Sequence, residues 1–543
     1  MKRVATSSRK RIEPNLTRVC KASSSSVRYA ASMSLQEFNS NRSPVKEFYA
    51  GKTVFLTGGS GFLGKLFIEK LIKCGVKEIM LLLRAKKGFS PEDRLKTLLK
   101  KEAVFVNYQQ QPELYLSRLR VIEGDVSKPG LAIGNDDLDY VVKNTNIIFH
   151  SAADVRFDES MKESVETNVR GTEHLLKIAE RCAGLEVFVH VSSAFSQCVH
   201  ESVEEKFYTP IVDPLVLIKL IENEQRLDDF EAIARKIVDP WPNTYAFTKA
   251  LAEEVVRRYR SKLPIAIVRP SIVTSTYSDP IPGWTDNFYG FNGVVMGAGT
   301  GVLRIFHIHD EYKANIIPAD IVINGTLVVA CHAANHPHEE NVFNCTMDEN
   351  FTTWGDIRND CMMLKGVVAA KKSLWIPTYN TTRYHFIASF LQIFYHLLPA
   401  IFFDLVMRVR GEKPQVLRLY RKVHRFSDVL RFFTNNQFKF ATKRMRHVLD
   451  GMGIVDRYLF PCDMRSVVWA KFGVNHIRGC RTYLLDEPWE TNEEALKIHR
   501  RRLIIHWCML GAIYSMYVLV ALRMLAAAGV PDLRTFLGCT AFA

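Results

Sequence analysis

The chain has 543 residues, 47% of them hydrophobic and 24% charged, with a formal net charge of +15. That balance excludes a wholly disordered chain and is enough for one large domain and a smaller companion. The eleven cysteines are scattered with no CxxC pair, which excludes a disulfide framework and a cysteine-based zinc site and points to a reducing compartment.

Residues 1–50 read as a tail. Between positions 1 and 33, eight Lys/Arg face a single acid, Glu13, in the Ser-rich setting "KASSSSVRYAASMS". This is the composition of a disordered basic segment; an organelle transit peptide is the alternative. From Gly51 onward, short apolar runs at 53–57, 78–84, 119–125, 146–152, 187–193 and 265–271 alternate with helical patterns. Apolar strands separated by helices predict a parallel sheet covered on both faces, a doubly wound α/β domain over 51–335.

The first strand–helix junction, "TGGSGFLG", carries Gly58, Gly61 and Gly64, with Phe62 and Leu63 opening the helix. Glycines here let a backbone approach a dinucleotide pyrophosphate, and the helix N-terminus supplies free N–H groups. At the end of the second strand, where NAD enzymes carry an acid for the ribose, the sequence reads "LLLRAKKG". Arg84, with Lys86 and Lys87, suits a 2′-phosphate instead, so the expected cofactor is NADPH. Asp125 follows the third strand, placed to meet the adenine amino group. Ser151, Ala152 and Ala153 leave room after the fourth, and Asn168 is a polar strut beneath.

Tyr245 and Lys249 in "NTYAFTKALAE" sit one helical turn apart on one face. A neighbouring ammonium favours phenolate, which makes the tyrosine a proton-transfer group. Ser193, with Ser192 beside it, closes the fifth strand and offers a hydroxyl to the oxygen of a carbonyl under reduction. The stretch between Ser193 and Tyr245, 52 positions apart, contains amphipathic helical pattern over 214–238, readable as a lid over a lipid site or as a surface hairpin. Residues 282–304, Gly-rich and aromatic, are a second candidate wall.

Residues 336–500 form a mostly helical zone, aromatic and basic. Lys439, Lys443 and Arg444 offer charge for phosphates, or simply a solvated face. The greasy run 385–407 is broken by Gln392, His396, Pro399 and Asp404, and reads as a helical pair in the core or at a membrane interface. Residues 503–522 hold no charge, and twenty helical residues span ~30 Å, one bilayer core. "HRRR" precedes them, so a single transmembrane helix is expected with the catalytic bulk in the cytosol, at the endoplasmic reticulum or the peroxisome.

The motifs "TGGSGFLG", "HSAADVRFDE", "VSSAFS", "WPNTYAFTKALAE" and "IVRPSIV" resemble those of the extended short-chain dehydrogenase/reductase superfamily, and within it the fatty acyl-CoA reductases. "PGWTDNFYGFNGVVMGAGTGVLR", "IIPADIVIN", "HLLPAIFFD" and "FFTNNQFKF" extend the resemblance over residues 45–525, including the C-terminal male-sterility-type domain. It implies a Rossmann domain with an appended helical domain and a terminal transmembrane helix. It also implies four-electron reduction of a long-chain fatty acyl-CoA to a primary alcohol with two NADPH, with Ser193, Tyr245 and Lys249 catalytic. Gly58, Gly61, Phe62, Leu63, Gly64, Arg84 and Asp125, together with Tyr245 and Lys249, would hold the cofactor. No metal and no nucleic acid are expected; acyl-CoA and membrane lipid are. An aldehyde-forming reductase, a hydroxysteroid-type dehydrogenase and a membrane-bound cofactor-binding scaffold are the alternatives.

Overall fold

The computed structural model describes residues 42–86, 88–157, 159–223, 236–364, 369–491 and 493–527. The basic segment 1–33, Lys87 and most of the second half of the 214–238 insertion lie outside the described residues. The first half of that insertion is a helix, Pro214–Glu222.

Chain order begins earlier than expected. A short helix, α1 (Pro44–Tyr49), lies inside the stretch read as tail. Ser43 caps it and also donates to Asp456, and the fully buried Tyr49 donates to the carbonyl of Leu327 at 2.7 Å. Residues 43–49 are therefore part of the folded body.

The six expected strands all form: β1 (Thr53–Thr57), β2 (Glu78–Leu83), β3 (Leu119–Glu123), β4 (Ile147–His150), β5 (Val187–Val191) and β6 (Ile265–Pro270). A seventh, β7 (Val342–Cys345), extends the sheet from beyond the boundary expected at 335/336. All pairings are parallel, and the spatial order is β7-β6-β5-β4-β1-β2-β3. The order reverses between β1 and β4, and a cleft opens there at the carboxyl ends of the strands, the usual ligand position in such sheets.

Two helices carry the functional residues of this domain: α2 (Phe62–Cys74), directly after β1, and α3 (Thr244–Arg258), capped by Asn243. Two apolar clusters fill the faces of the sheet, one including Val54, Phe67 and Ile79, the other Phe55, Ile148 and Phe247. All described cysteines are free.

The C-terminal zone is mostly helical, but it does not stand apart. Asn380–Thr382 pairs with Ile305–His307, and Lys439–Phe440 with Ser202–Val203. The greasy run is not a helical pair. It is one continuous helix, α4 (His385–Val409), with a π turn at Ile393–Leu397. Pro399 falls in the first turn after that π turn, where the ladder is already interrupted and its missing N–H costs little. α4 turns into α5 (Val416–Thr434), and the described residues close with the 35-residue α6 (Glu493–Ala527). α4 and α6 are both long and apolar enough to cross a membrane.

Gly283 and Gly479 form the tightest junction between the two halves. A Cβ on Gly479 would lie 1.7 Å from the carbonyl oxygen of Gly283. Backbone meets backbone there, so nothing flexible can yield. Gly479→Ala is expected to cost about 3 kcal/mol, read as a fall in melting temperature. An unchanged melting temperature would show that the two halves are not locked at this point.

Candidate active site

Glycine shapes the cofactor end of the cleft. Gly58 has φ +76°, and a Cβ on it would sit 2.7 Å from the Ala152 nitrogen. The β1–α2 loop therefore lies directly against the Ser151–Ala152 segment after β4. A Cβ on Gly64 would lie 2.1 Å from the Gly58 carbonyl, so the first turn of α2 closes on the loop. Gly61 is the N-cap and provides no side-chain oxygen. The opening amides of α2 at Phe62 and Leu63 are thus left for an anion. The other side of this turn is braced by the 282–304 segment, where Trp284 stacks on Phe62 with ring centroids 5.3 Å apart. Lys65 sits buried beneath, paired with Glu102 at 2.6 Å and Asp286 at 2.8 Å. That segment supports the glycine loop.

Arg84 and Asp125 meet at the carboxyl ends of β2 and β3, 2.8 Å apart. The other Asp125 oxygen accepts from the Ser127 amide and hydroxyl. Burial raises the Asp125 carboxyl, but Arg84 and Ser127 outweigh it and hold it below the usual range. Sequence reading missed Arg94. Its guanidinium donates to the Arg84 carbonyl and approaches Ser60 Oγ at 3.5 Å. Burial and the charge of Arg84 lower its pKa. Arg94 thus brings a guanidinium beside Ser60, while that of Arg84 is engaged by Asp125. A cavity of about 350 Å³ opens there, with Gly59, Ser60 and Arg94 in its wall. Arg94 lies on a separate helix, Pro91–Lys101, and no sequence spacing ties it to the loop.

At the other end, β5 delivers Ser193. Its hydroxyl caps a short 3₁₀ turn by accepting from the Phe195 amide at 3.2 Å, and it hydrogen-bonds to the Tyr245 phenol. Tyr245, Lys249 and Glu253 follow one another along a single face of α3. Lys249 donates to the Val191 carbonyl at 2.7 Å. Burial lowers its pKa to about 8, against the opposing pull of Glu253. The expected lowering of the phenol does not occur. Burial pushes Tyr245 up to about 12, and Ser193 offsets only part of this. The ammonium is turned to Val191, so the phenol stays protonated near neutrality, as a proton donor must. Asn168 is the predicted strut: it accepts from the Asp154 amide at 2.8 Å and donates to Thr248 on α3 at 3.0 Å.

Aromatic rings roof the catalytic end. Phe157 lies 5.7 Å from both Tyr245 and Phe433, and Phe433 lies 5.0 Å from Phe195. Phe438 and Phe440 complete the group around Phe195. Three of these rings come from the C-terminal zone. Arg444 does not face this cleft; it holds the Glu205 carbonyl and Glu340. Among the described residues one acidic group, Asp154, Glu159 and Glu163, is close enough to hold a cation. Arg156 already bridges all three.

Two family models, both described as male sterility protein, match residues 56–326 and 395–487. "Fatty acyl-CoA reductase wat" of Drosophila melanogaster is 36% identical over 481 residues, covering 88% of this chain and 92% of that one. "Fatty acyl-CoA reductase 1" of Mus musculus is 33% identical over 449 residues, covering 82% and 86%. A solved reductase domain of a Mycobacterium tuberculosis nonribosomal peptide synthetase superposes with a TM-score of 0.54 at 18% identity, covering 84% of this chain and 96% of that one. It shares the fold.

The buried Lys249 sets a pH limit. The ammonium form persists only below about 8. The rate is expected to fall tenfold per pH unit above that point. A pH–rate profile flat to pH 10 would remove the ammonium from the reaction.

Proposed function

This chain belongs to the male sterility family of fatty acyl-CoA reductases, and we propose that it converts a long-chain fatty acyl-CoA to the primary alcohol, using NADPH. It is an oxidoreductase with a nicotinamide-binding Rossmann domain. The observation that carries the reading is the pairing of Ser193 with Tyr245 at the carboxyl end of β5, one helical turn from Lys249. The cofactor end is charged and glycine-lined; the catalytic end is roofed by phenyl rings.

Gly58, Gly61, Phe62, Leu63 and Gly64 would hold the pyrophosphate, and Arg84, Arg94 and Ser60 the 2′-phosphate. Asp125, Tyr245 and Lys249 would face the remaining polar groups. When bound, the nicotinamide supplies hydride to the substrate carbonyl carbon. Ser193 and Tyr245 present two hydroxyls to a single oxygen, stabilising the negative charge that develops there. Tyr245 gives up its proton as general acid, and Lys249, with one donor spent on the Val191 carbonyl, would present the others to the cofactor. The C–S bond of the hemithioacetal then breaks; its hydroxyl proton leaves with CoA, which departs as the thiol, and an aldehyde remains. A second reduction with a second NADPH gives the alcohol, and the same three residues serve both rounds. α6 would anchor the chain as a single span, with the reductase body held on the cytosolic side by Arg500, Arg501 and Arg502.

The reading is tested by incubating membranes bearing the full chain with a series of acyl-CoAs and NADPH and identifying the products. Primary alcohols support it; aldehyde as the sole product would sink the four-electron part. Tyr245→Phe is expected to lower kcat by roughly 10²–10⁴-fold with NADPH still bound by fluorescence titration. Undiminished turnover would end the catalytic assignment. The double variant Arg84→Ala/Arg94→Ala is expected to weaken NADPH binding by roughly 10²–10⁴-fold and leave NADH nearly unchanged, since each of the two lost guanidinium–phosphate contacts is worth ~1.5–3 kcal/mol. Equal losses for both cofactors would remove the 2′-phosphate from this corner.

A further inference from the structure

α4 wears its apolar residues on the outside. Phe386, Phe390, Phe394, Leu398, Phe402 and Leu405 are each between 49% and 71% exposed. They recur in steps of four and three residues. Four-residue steps drift around a 3.6-residue helix, and the extra residue of the π turn at Ile393–Leu397 offsets that drift. The result is one continuous stripe. The opposite face packs inward through Ala388, His396, Ala400 and Asp404. Asp404, costly at membrane depth on sequence alone, accepts the backbone amides of Gln415, Val416 and Leu417 at 2.8–3.0 Å and caps the start of α5. The stripe therefore carries no charge.

Seven Lys/Arg crowd the turn and the first half of α5 between positions 408 and 425, all of them exposed, with Glu412 the one acid among them. We propose that α4 and this basic turn form a membrane-docking surface. The stripe lies flat in the acyl boundary of an anionic leaflet, and the Lys/Arg cluster lies among lipid phosphates.

Three features favour this occupant. First, a second copy of the chain would bring seven like charges face to face across an isologous contact, which is repulsive. Second, a full span is costly, because His396 is held to the Arg304 amide at 3.1 Å and α5 returns alongside with its charges. Third, the surface is continuous with the anchor. Trp375, ten residues before α4, donates to His506 on α6 at 3.3 Å. α5 then runs from the basic turn to Phe433, in the roof over Tyr245, so the surface sets the catalytic mouth at the lipid.

The test is hydroxyl-radical footprinting of the full chain, one copy per nanodisc, in neutral and in phosphatidylserine-containing bilayers. In anionic discs Phe386, Phe390, Phe394 and Phe402 are expected to oxidise about tenfold more slowly than the comparably exposed Phe89 and Phe351. The charge-reversal variant Arg421→Glu/Lys422→Glu/Arg425→Glu stays tethered through α6. It is expected to restore most of that oxidation, with Phe351 and the melting temperature unchanged as evidence of folding. Oxidation of the stripe at the rate of Phe89 and Phe351 would overturn the proposal. So would protection equal in neutral discs and indifferent to charge reversal, or protection seen only with two chains per disc, which would mark a protein partner instead.

Discussion

A single buried carboxylate holds the catalytic end together. Glu253 accepts five hydrogen bonds: from Ser192 at 2.5 Å, Ser196 at 2.8 Å and Gln197 at 2.9 Å, and two from Arg269 at 2.9 and 2.7 Å. Burial works against its charge, but Arg269 and the hydroxyl and amide donors prevail and keep it ionised. Such a pair is weak evidence of net stability, since a well-packed apolar substitute is often as stable, yet removing one partner costs ~3–5 kcal/mol. Its value here is geometric. It ties the loop that carries Ser193 to the helix face that carries Tyr245 and Lys249. It also places a negative charge one turn from Lys249, which partly offsets burial.

The C-terminal zone is a structural part of the reductase domain. Asn344 on β7 donates to the carbonyls of Val203 and Ala441 at 2.9 and 2.8 Å, stapling the sheet edge to a strand pair from both halves. Glu205 accepts amides from Asn344 and Met445. The contact at Gly283 and Gly479 continues through Trp284 to Phe62 on the glycine loop. The catalytic roof is thus completed by the C-terminal half through Phe433, while the cofactor loop is braced by Trp284, next to the Gly283–Gly479 contact.

Local chemistry was legible in the sequence where it is set by local pattern. Five of the six strands are dense apolar runs buried on both faces; β3, at the sheet edge, is mostly half-exposed or exposed. The glycine loop, Arg84, Asp125, Ser193 and the Tyr245–Lys249 spacing were visible because each sits at a fixed offset from a strand or within one helical turn. What stayed hidden depends on distance along the chain. "VFNC" is too short and polar to announce β7. Arg94, on a helix of its own, reaches Ser60 only in three dimensions. The direction of Lys249 depends on the Val191 carbonyl, 58 residues away in sequence, so spacing alone wrongly suggested an acidified phenol. α1 was lost in the tail because its burial comes from Leu327 and Asp456.

The cleft's two ends differ in a way that orients a substrate of mixed character. Arg84, Arg94, Ser60 and the helix N-terminus gather charge and donors at one end. Phe157, Phe195, Phe433, Phe438 and Phe440 gather apolar surface at the other. A long acyl chain gains about 0.8 kcal/mol per CH₂ on leaving water, so it favours the aromatic end and is excluded from the charged one. The same arithmetic keeps a free acyl chain out of solution and in or near lipid. A reductase whose aromatic roof is carried by a helix leading from an exposed apolar stripe draws its substrate from where it is concentrated, and an aldehyde formed between the two reductions has the same apolar reason to remain.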